Sequence, residues 1–217
     1  MKKLFMIALS AMFCVAVNAQ LVTSTSYVAK KNKATWYAKV GGTFANFSFD
    51  GVDGDDPSSI FGYNIGIAFD SPIGSHGAFW SMGLQLGTKG FKFDWDDGEV
   101  WKLNANKIEV PITFGYRYHI NDDWAVDARL GAFVSYDLWG KFKEEWDGDS
   151  DETKIGDVDE YNCLDAGIIF GIGGWYQNLY LQFSYEWGMI NQYDLDDYGD
   201  DVKGKERNFM ISIAYAF

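Results

Sequence analysis

Residues capable of chemistry fall into three groups along this chain. In the first, acids and bases fall at alternate positions within otherwise apolar stretches, among glycines and small polar residues: Lys39, Asp70, Lys107, Glu109, Arg117, Asp127, Arg129, Asp165 and Glu186. Both signs are present. If these residues share one enclosed face, they are expected to form an ion-pair and hydrogen-bond network, because a buried charge without a partner is costly. In the second group, 23 of the 31 Asp and Glu residues crowd four segments, 48–59, 92–105, 140–161 and 191–207. Clustered carboxylates suit hard divalent cations, and Asp147, Asp149 and Asp151 match the first three ligand positions of an EF-hand loop. However, Glu152 stands where the turn needs glycine and Val158 where the bidentate Glu belongs. These aspartates are therefore only a weak metal candidate, and solvation is the leading role for the acid. The third group is nearly empty. There are two histidines, His76 and His119, and each falls beside an expected short turn. A Ser/His/acid hydrolase at the opposite rim is thereby disfavoured. The chain carries no phosphate loop, metal–cysteine cluster or nucleotide motif, so neither enzyme activity nor a cofactor is expected.

Eight segments with period-two alternation must position these residues. In one, Phe61, Tyr63, Ile65, Ile67 and Phe69 oppose Gly62, Asn64, Gly66, Ala68 and Asp70. In another, Ile108, Val110, Ile112, Phe114, Tyr116 and Tyr118 oppose Lys107, Glu109, Pro111, Thr113, Gly115, Arg117 and His119. Such alternation describes strands with one apolar and one polar face. A soluble sandwich or lipocalin would turn the apolar face inward. Three features favour the reverse. Aromatic residues gather near the ends of the apolar faces, as membrane-interface belts require: Trp36 and Phe44, Phe61 and Phe69, Tyr185 and Trp187. The opposite face is rich in glycine and bears both signs of charge, which suits a narrow filled interior. Finally, Tyr215 and Phe217 end the last strand on one face, like the C-terminal insertion signal of outer-membrane barrels.

Links between the segments alternate short and long. Short ones are expected near 71–77, 121–123 and 177–178, and the long ones are the four acid-rich segments. Short periplasmic turns and long outer loops produce this rhythm. The expected fold is all-β, an eight-stranded antiparallel up-and-down transmembrane barrel. Eight strands enclose an interior that side chains just fill, so no wide pore is expected.

The first residues and the composition agree. Lys2 and Lys3 precede an apolar run from Leu4 to Val17, and Val17-Asn18-Ala19 offers small residues at −3 and −1. This reads as a cleaved signal peptide rather than a membrane helix, which needs roughly 20 apolar residues. The expected organisation is a signal peptide over 1–19, a periplasmic segment over 20–34 and the barrel over 35–217. Cys14 leaves with the signal, so Cys163 alone remains and no internal disulfide is possible. Aromatics at 18%, 24 glycines and only three prolines fit a membrane barrel. A net charge of −13 argues against nucleic acid.

Three strands carry a family resemblance. Lys107-Ile108-Glu109-Val110-Pro111-Ile112 resembles the hydrophobic-Glu-hydrophobic-Pro strand of PorT-like outer-membrane β-barrel proteins of Gram-negative bacteria. Asp165-Ala166-Gly167-Ile168-Ile169-Phe170-Gly171-Ile172-Gly173 is similar to that family's Asp-x-Gly…Gly-x-Gly strand, and Gly131–Tyr136 fits as well. The resemblance implies an eight-stranded outer-membrane barrel. Its named member is associated with type IX protein secretion. The leading expectation is a non-enzymatic barrel in envelope structure or surface interaction. An accessory secretion component comes second and a soluble lipocalin-like ligand binder third. Expected partners are outer-membrane lipid, the barrel-assembly machinery and envelope or secretion proteins.

Overall fold

The computed structural model describes residues 33–50, 57–94, 99–146, 149–158, 161–195 and 202–217. The expected signal peptide lies outside them. Among the described residues ten strands follow one another: β1 (Thr35–Asp50), β2 (Ser58–Pro72), β3 (Ala78–Asp94), β4 (Val100–His119), β5 (Trp124–Trp146), β6 (Asp149–Lys154), β7 (Leu164–Tyr176), β8 (Leu179–Gly188), β9 (Tyr193–Leu195) and β10 (Val202–Ala216). Eight of them form the ring β1-β2-β3-β4-β5-β7-β8-β10, and antiparallel pairing of β1 with β10 closes it. Closure leaves the ring of eight strands without a free edge among the described residues, the condition for a sheet to sit in hydrocarbon. Among the described residues no helix is long and apolar enough to cross a membrane.

The alternation sets the two faces as the period-two reading requires. On β5, Ala125, Asp127, Arg129, Phe133, Ser135 and Asp137 are buried, whereas Trp124, Val126, Leu130, Val134 and Tyr136 are exposed. Exposure of the outward apolar residues is extreme for any water-soluble protein, with Phe61 at 71%, Phe114 at 63% and Ile172 at 61%. Soluble monomers rarely present a continuous apolar surface of this extent. This belt rules out the lipocalin arrangement, in which those residues would line the interior. From Trp124 to Tyr136, at about 3.3 Å per residue and a tilt near 40°, β5 rises roughly 30 Å, enough to cross the hydrocarbon core.

The short turns fall at 73–77, 120–123 and 177–178, close to expectation. At the other end the expected boundaries need correction. Strands run far into the segments read as loops: β1 reaches Asp50, β3 reaches Asp94 and β5 reaches Trp146, where β6 pairs back onto it. Consequently Asp50, Asp94, Glu144, Glu145, Asp149, Asp151, Glu152, Asp194 and Glu206 belong to strands rather than loops. The cause is a change of phase that the apolar-out pattern hides. Leu138 stands unmatched in the β4–β5 register, between the pairs Lys107↔Asp137 and Asn106↔Trp139. Beyond this bulge the apolar residues turn inward. Gly90 on β3, at φ +145, takes a backbone shape that L side chains rarely adopt, and a Cβ there would stand 2.0 Å from the Leu103 carbonyl oxygen.

Candidate functional site

The lumen contains the chemistry. At the turn end, Arg117 on β4 and Asp127 on β5 face each other in register, so both side chains point inward. Arg117 Nη2 lies 2.5 Å from Asp70 Oδ2 and 3.1 Å from Asp127 Oδ2, and Arg129 Nη2 lies 3.1 Å from Asp127 Oδ2. Asp127 also accepts hydrogen bonds from Tyr180 (2.7 Å) and from the Trp175 indole (2.8 Å). Tyr37 donates to Asp70 Oδ1 (3.1 Å) and accepts from Arg129 Nη1 (2.9 Å). Both guanidinium groups lie against ring faces, Arg117 at 4.5 Å from Trp175 and Arg129 at 5.1 Å from Tyr180. Two arginines meet two aspartates. The charges balance, and stacked Trp175 and Tyr180 help seal that end.

Toward the loop end the balance changes. Lys107 Nζ lies 2.6 Å from Glu109, 2.7 Å from Glu186 and 2.6 Å from Glu206. Lys89 lies 2.5 Å from Asp137, which also accepts from Tyr161 at 2.7 Å. Gln85 donates to Glu109 (2.5 Å), and Asn208 donates to both Glu186 and Glu206. Asp165 is fully buried beside them. Gly188 leaves the necessary room: a Cβ there would sit 2.6 Å from Asp165 Oδ2 and 3.0 Å from Glu206 Cβ. Five carboxyl groups thus share two lysines, in a setting where each lost cation would leave charge uncompensated. Between the two clusters lies a cavity of about 20 Å³ lined by Lys39, Arg129 and Gln182.

Above the second cluster the lumen becomes apolar. Phe47, Phe91, Phe93, Leu103, Phe142 and Ile155 are buried together, with Phe49, Trp101 and Tyr161 packed against them. Ring centroids stand 5.2 Å apart for Phe47–Phe91 and 5.0 Å for Phe49–Phe91. Among the described residues, this aromatic cap packs inside the barrel above the charges.

All nine residues expected to face the lumen are buried: Lys39, Asp70, Lys107, Glu109, Arg117, Asp127, Arg129, Asp165 and Glu186. They form two groups rather than one network, with Lys39 at the cavity between them. Sequence reasoning missed Lys89 and Glu206. Each continues the inward phase of its strand, two residues beyond Gly87 and two before Asn208; Glu206 falls inside a stretch read as a loop, and Lys89 just past the end expected for its strand. Glu206 is the sharper correction, because it counted as an outer-loop acid and is wholly buried. Asp149 and Asp151 are exposed on β6, opposite Trp146 and Glu144, in a strand rather than a ligand loop. Asp147 lies outside the described residues. Tyr215 and Phe217 both face outward, and the Phe217 amide donates to the Trp36 carbonyl (3.0 Å). His76 and His119 sit at the turn end. Cys163 is a free thiol.

The family model for the outer membrane protein beta-barrel domain matches residues 18–194. No curated protein matches the chain. Among solved structures, the chain is similar to Ail, the attachment invasion locus protein of Yersinia pestis, in complex with the heparin analogue sucrose octasulfate. Identity is 17%, over 85% of this chain and 99% of that one, with a TM-score of 0.43. It is also similar to Neisserial surface protein A, at 15% identity, over 85% and 99% of the two chains, with a TM-score of 0.43. A third is the outer membrane protein OprG from Pseudomonas aeruginosa, at 11% identity, 86% and 97% coverage, and a TM-score of 0.45.

Proposed function

Because the chain belongs to the outer membrane protein beta-barrel domain family and lies in the outer membrane, we propose that it is a closed, non-enzymatic barrel acting through its outer surface. Its role is in envelope structure or surface contact rather than passage or catalysis. One observation carries this reading: among the described residues, side chains fill the lumen at three successive levels. The turn-end arginine–aspartate cluster, the lysine–carboxylate cluster and the aromatic cap follow one another, and the cavity between the first two measures about 20 Å³. That is roughly room for one water molecule. The position of both histidines at the turn end supports the non-enzymatic part, since base catalysis on an outer substrate would need such a group at the other rim.

Planar-bilayer recording of the refolded barrel tests the closure. The expected result is no stable, large conductance step; a persistent one would overturn the reading. The secretion role implied by the PorT-like resemblance is separated by affinity purification from native membranes. A surface-acting barrel is recovered without a recurrent set of secretion proteins, whereas an accessory component brings them along.

A further inference from the structure

Above the membrane belt, the outward face of β3 to β6 gathers positive charge in a chain whose net charge is −13. Cross-strand register sets Lys92 opposite Lys102 and Lys102 opposite Lys143, and one row away Lys141 faces Lys154. Like charges directly opposite on a sheet repel, so this arrangement works against the fold unless an anion shares it. Three carboxylates answer part of the charge. Lys92 pairs with Asp94 at 2.6 Å, while Lys141 donates to Glu152 and Lys143 to Glu145. The Lys141 hydrogen bond holds the Glu152 carboxyl below its usual range, and the one to Glu145 holds the Lys143 ammonium above its own. Among the described residues, Lys102 and Lys154 have no carboxylate within ion-pair distance. Both open on a groove of about 710 Å³, whose lining also includes Asn104 and Trp139.

The height of this groove identifies its occupant. Trp139 and Leu138 continue the lipid-facing row Leu130, Val134 and Tyr136, and Lys141 and Lys143 follow within four residues. An indole at the hydrocarbon boundary with ammonium groups immediately above it matches the layer where headgroups lie. We propose that this face binds the phosphorylated headgroup of an outer-leaflet lipid, with Lys102 and Lys154 as the phosphate-contacting pair and Trp139 against the base of the acyl chains. The site is independent of the closed lumen, and its failure would leave the conductance reading untouched.

The test is titration of the full refolded barrel in detergent with bis-phosphorylated lipid A and, separately, with the same lipid lacking both phosphates. Native mass spectrometry reads the bound lipid. The wild type should prefer the phosphorylated form at least tenfold. The K102A/K154A variant should lose that preference, and K102R/K154R should keep it. Heat-modifiable gel mobility verifies that each variant is folded, and K102Q/K154Q serves in place of an alanine variant that is not. No preference in the wild type, or an undiminished one in the alanine variant, overturns the proposal. So does binding of sodium pyrophosphate without lipid at equal affinity, which would assign the site to a soluble anion.

Discussion

Strand β5 contains two regions that obey opposite rules. Between Trp124 and Tyr136 it presents Val126, Leu130 and Val134 outward and hides Asp127, Arg129 and Ser135. Beyond Leu138 it presents Lys141 and Lys143 and hides Phe142. One continuous strand of 23 residues therefore inverts its polarity. What changes is the medium outside. Where hydrocarbon surrounds the ring, apolar side chains face out and charge is confined to a lumen where it must be paired. Where water surrounds it, the ordinary hydrophobic effect returns and aromatic rings collect inside. The bulge at Leu138 lies where one rule gives way to the other.

Substitutions can break or sharpen this contrast. The largest effect is expected from Lys107→Met, which strands Glu109, Glu186 and Glu206 around a lost cation. Breaking a buried ion group of this kind costs about 3–5 kcal/mol, to be read from urea unfolding of the barrel in detergent. Phe91→Ala should cost about 3 kcal/mol, because the ring is fully enclosed in the cap. Its signature should differ: hydrogen exchange rises in the extension of β1, β3 and β4 while the membrane portion keeps its protection. Val134→Arg on the lipid face should cost roughly 2–4 kcal/mol in lipid vesicles. The smallest effect belongs to Lys143→Leu, an outward change of the opposite sense above the belt, expected within about 0.5 kcal/mol. If Val134→Arg and Lys143→Leu shifted stability equally, the boundary between the two regions would be misplaced.

How legible this was depended on which rule a segment obeyed. The membrane-spanning stretches announced themselves, because Phe61 to Phe69 and Ile108 to Tyr118 alternate without a break. The facing of Lys39, Asp127 and Glu186 followed from that phase alone. The extension was not legible, because Phe47, Phe49, Phe91 and Phe93 stand in the phase of the lumen and are interrupted by acids typical of loops. A scan that allowed the apolar phase to flip once per strand would have found them, together with Lys89 and Glu206. The division of the lumen charges into two groups could not be read from one strand at a time. It depends on cross-barrel distances, such as Lys107 to Glu206, that only closure of the ring determines.

The most direct test is a spin-label scan along β5, one position at a time from 126 to 145, in lipid vesicles. The inversion predicts that labels at 126, 130 and 134 collide with oxygen dissolved in the hydrocarbon and are shielded from a water-soluble nickel complex. Labels at 141 and 143 should show the reverse, while 142 is shielded from both. Nickel access at 130 and 134 equal to that at 141 would contradict the account, because the aromatic belt would then face water.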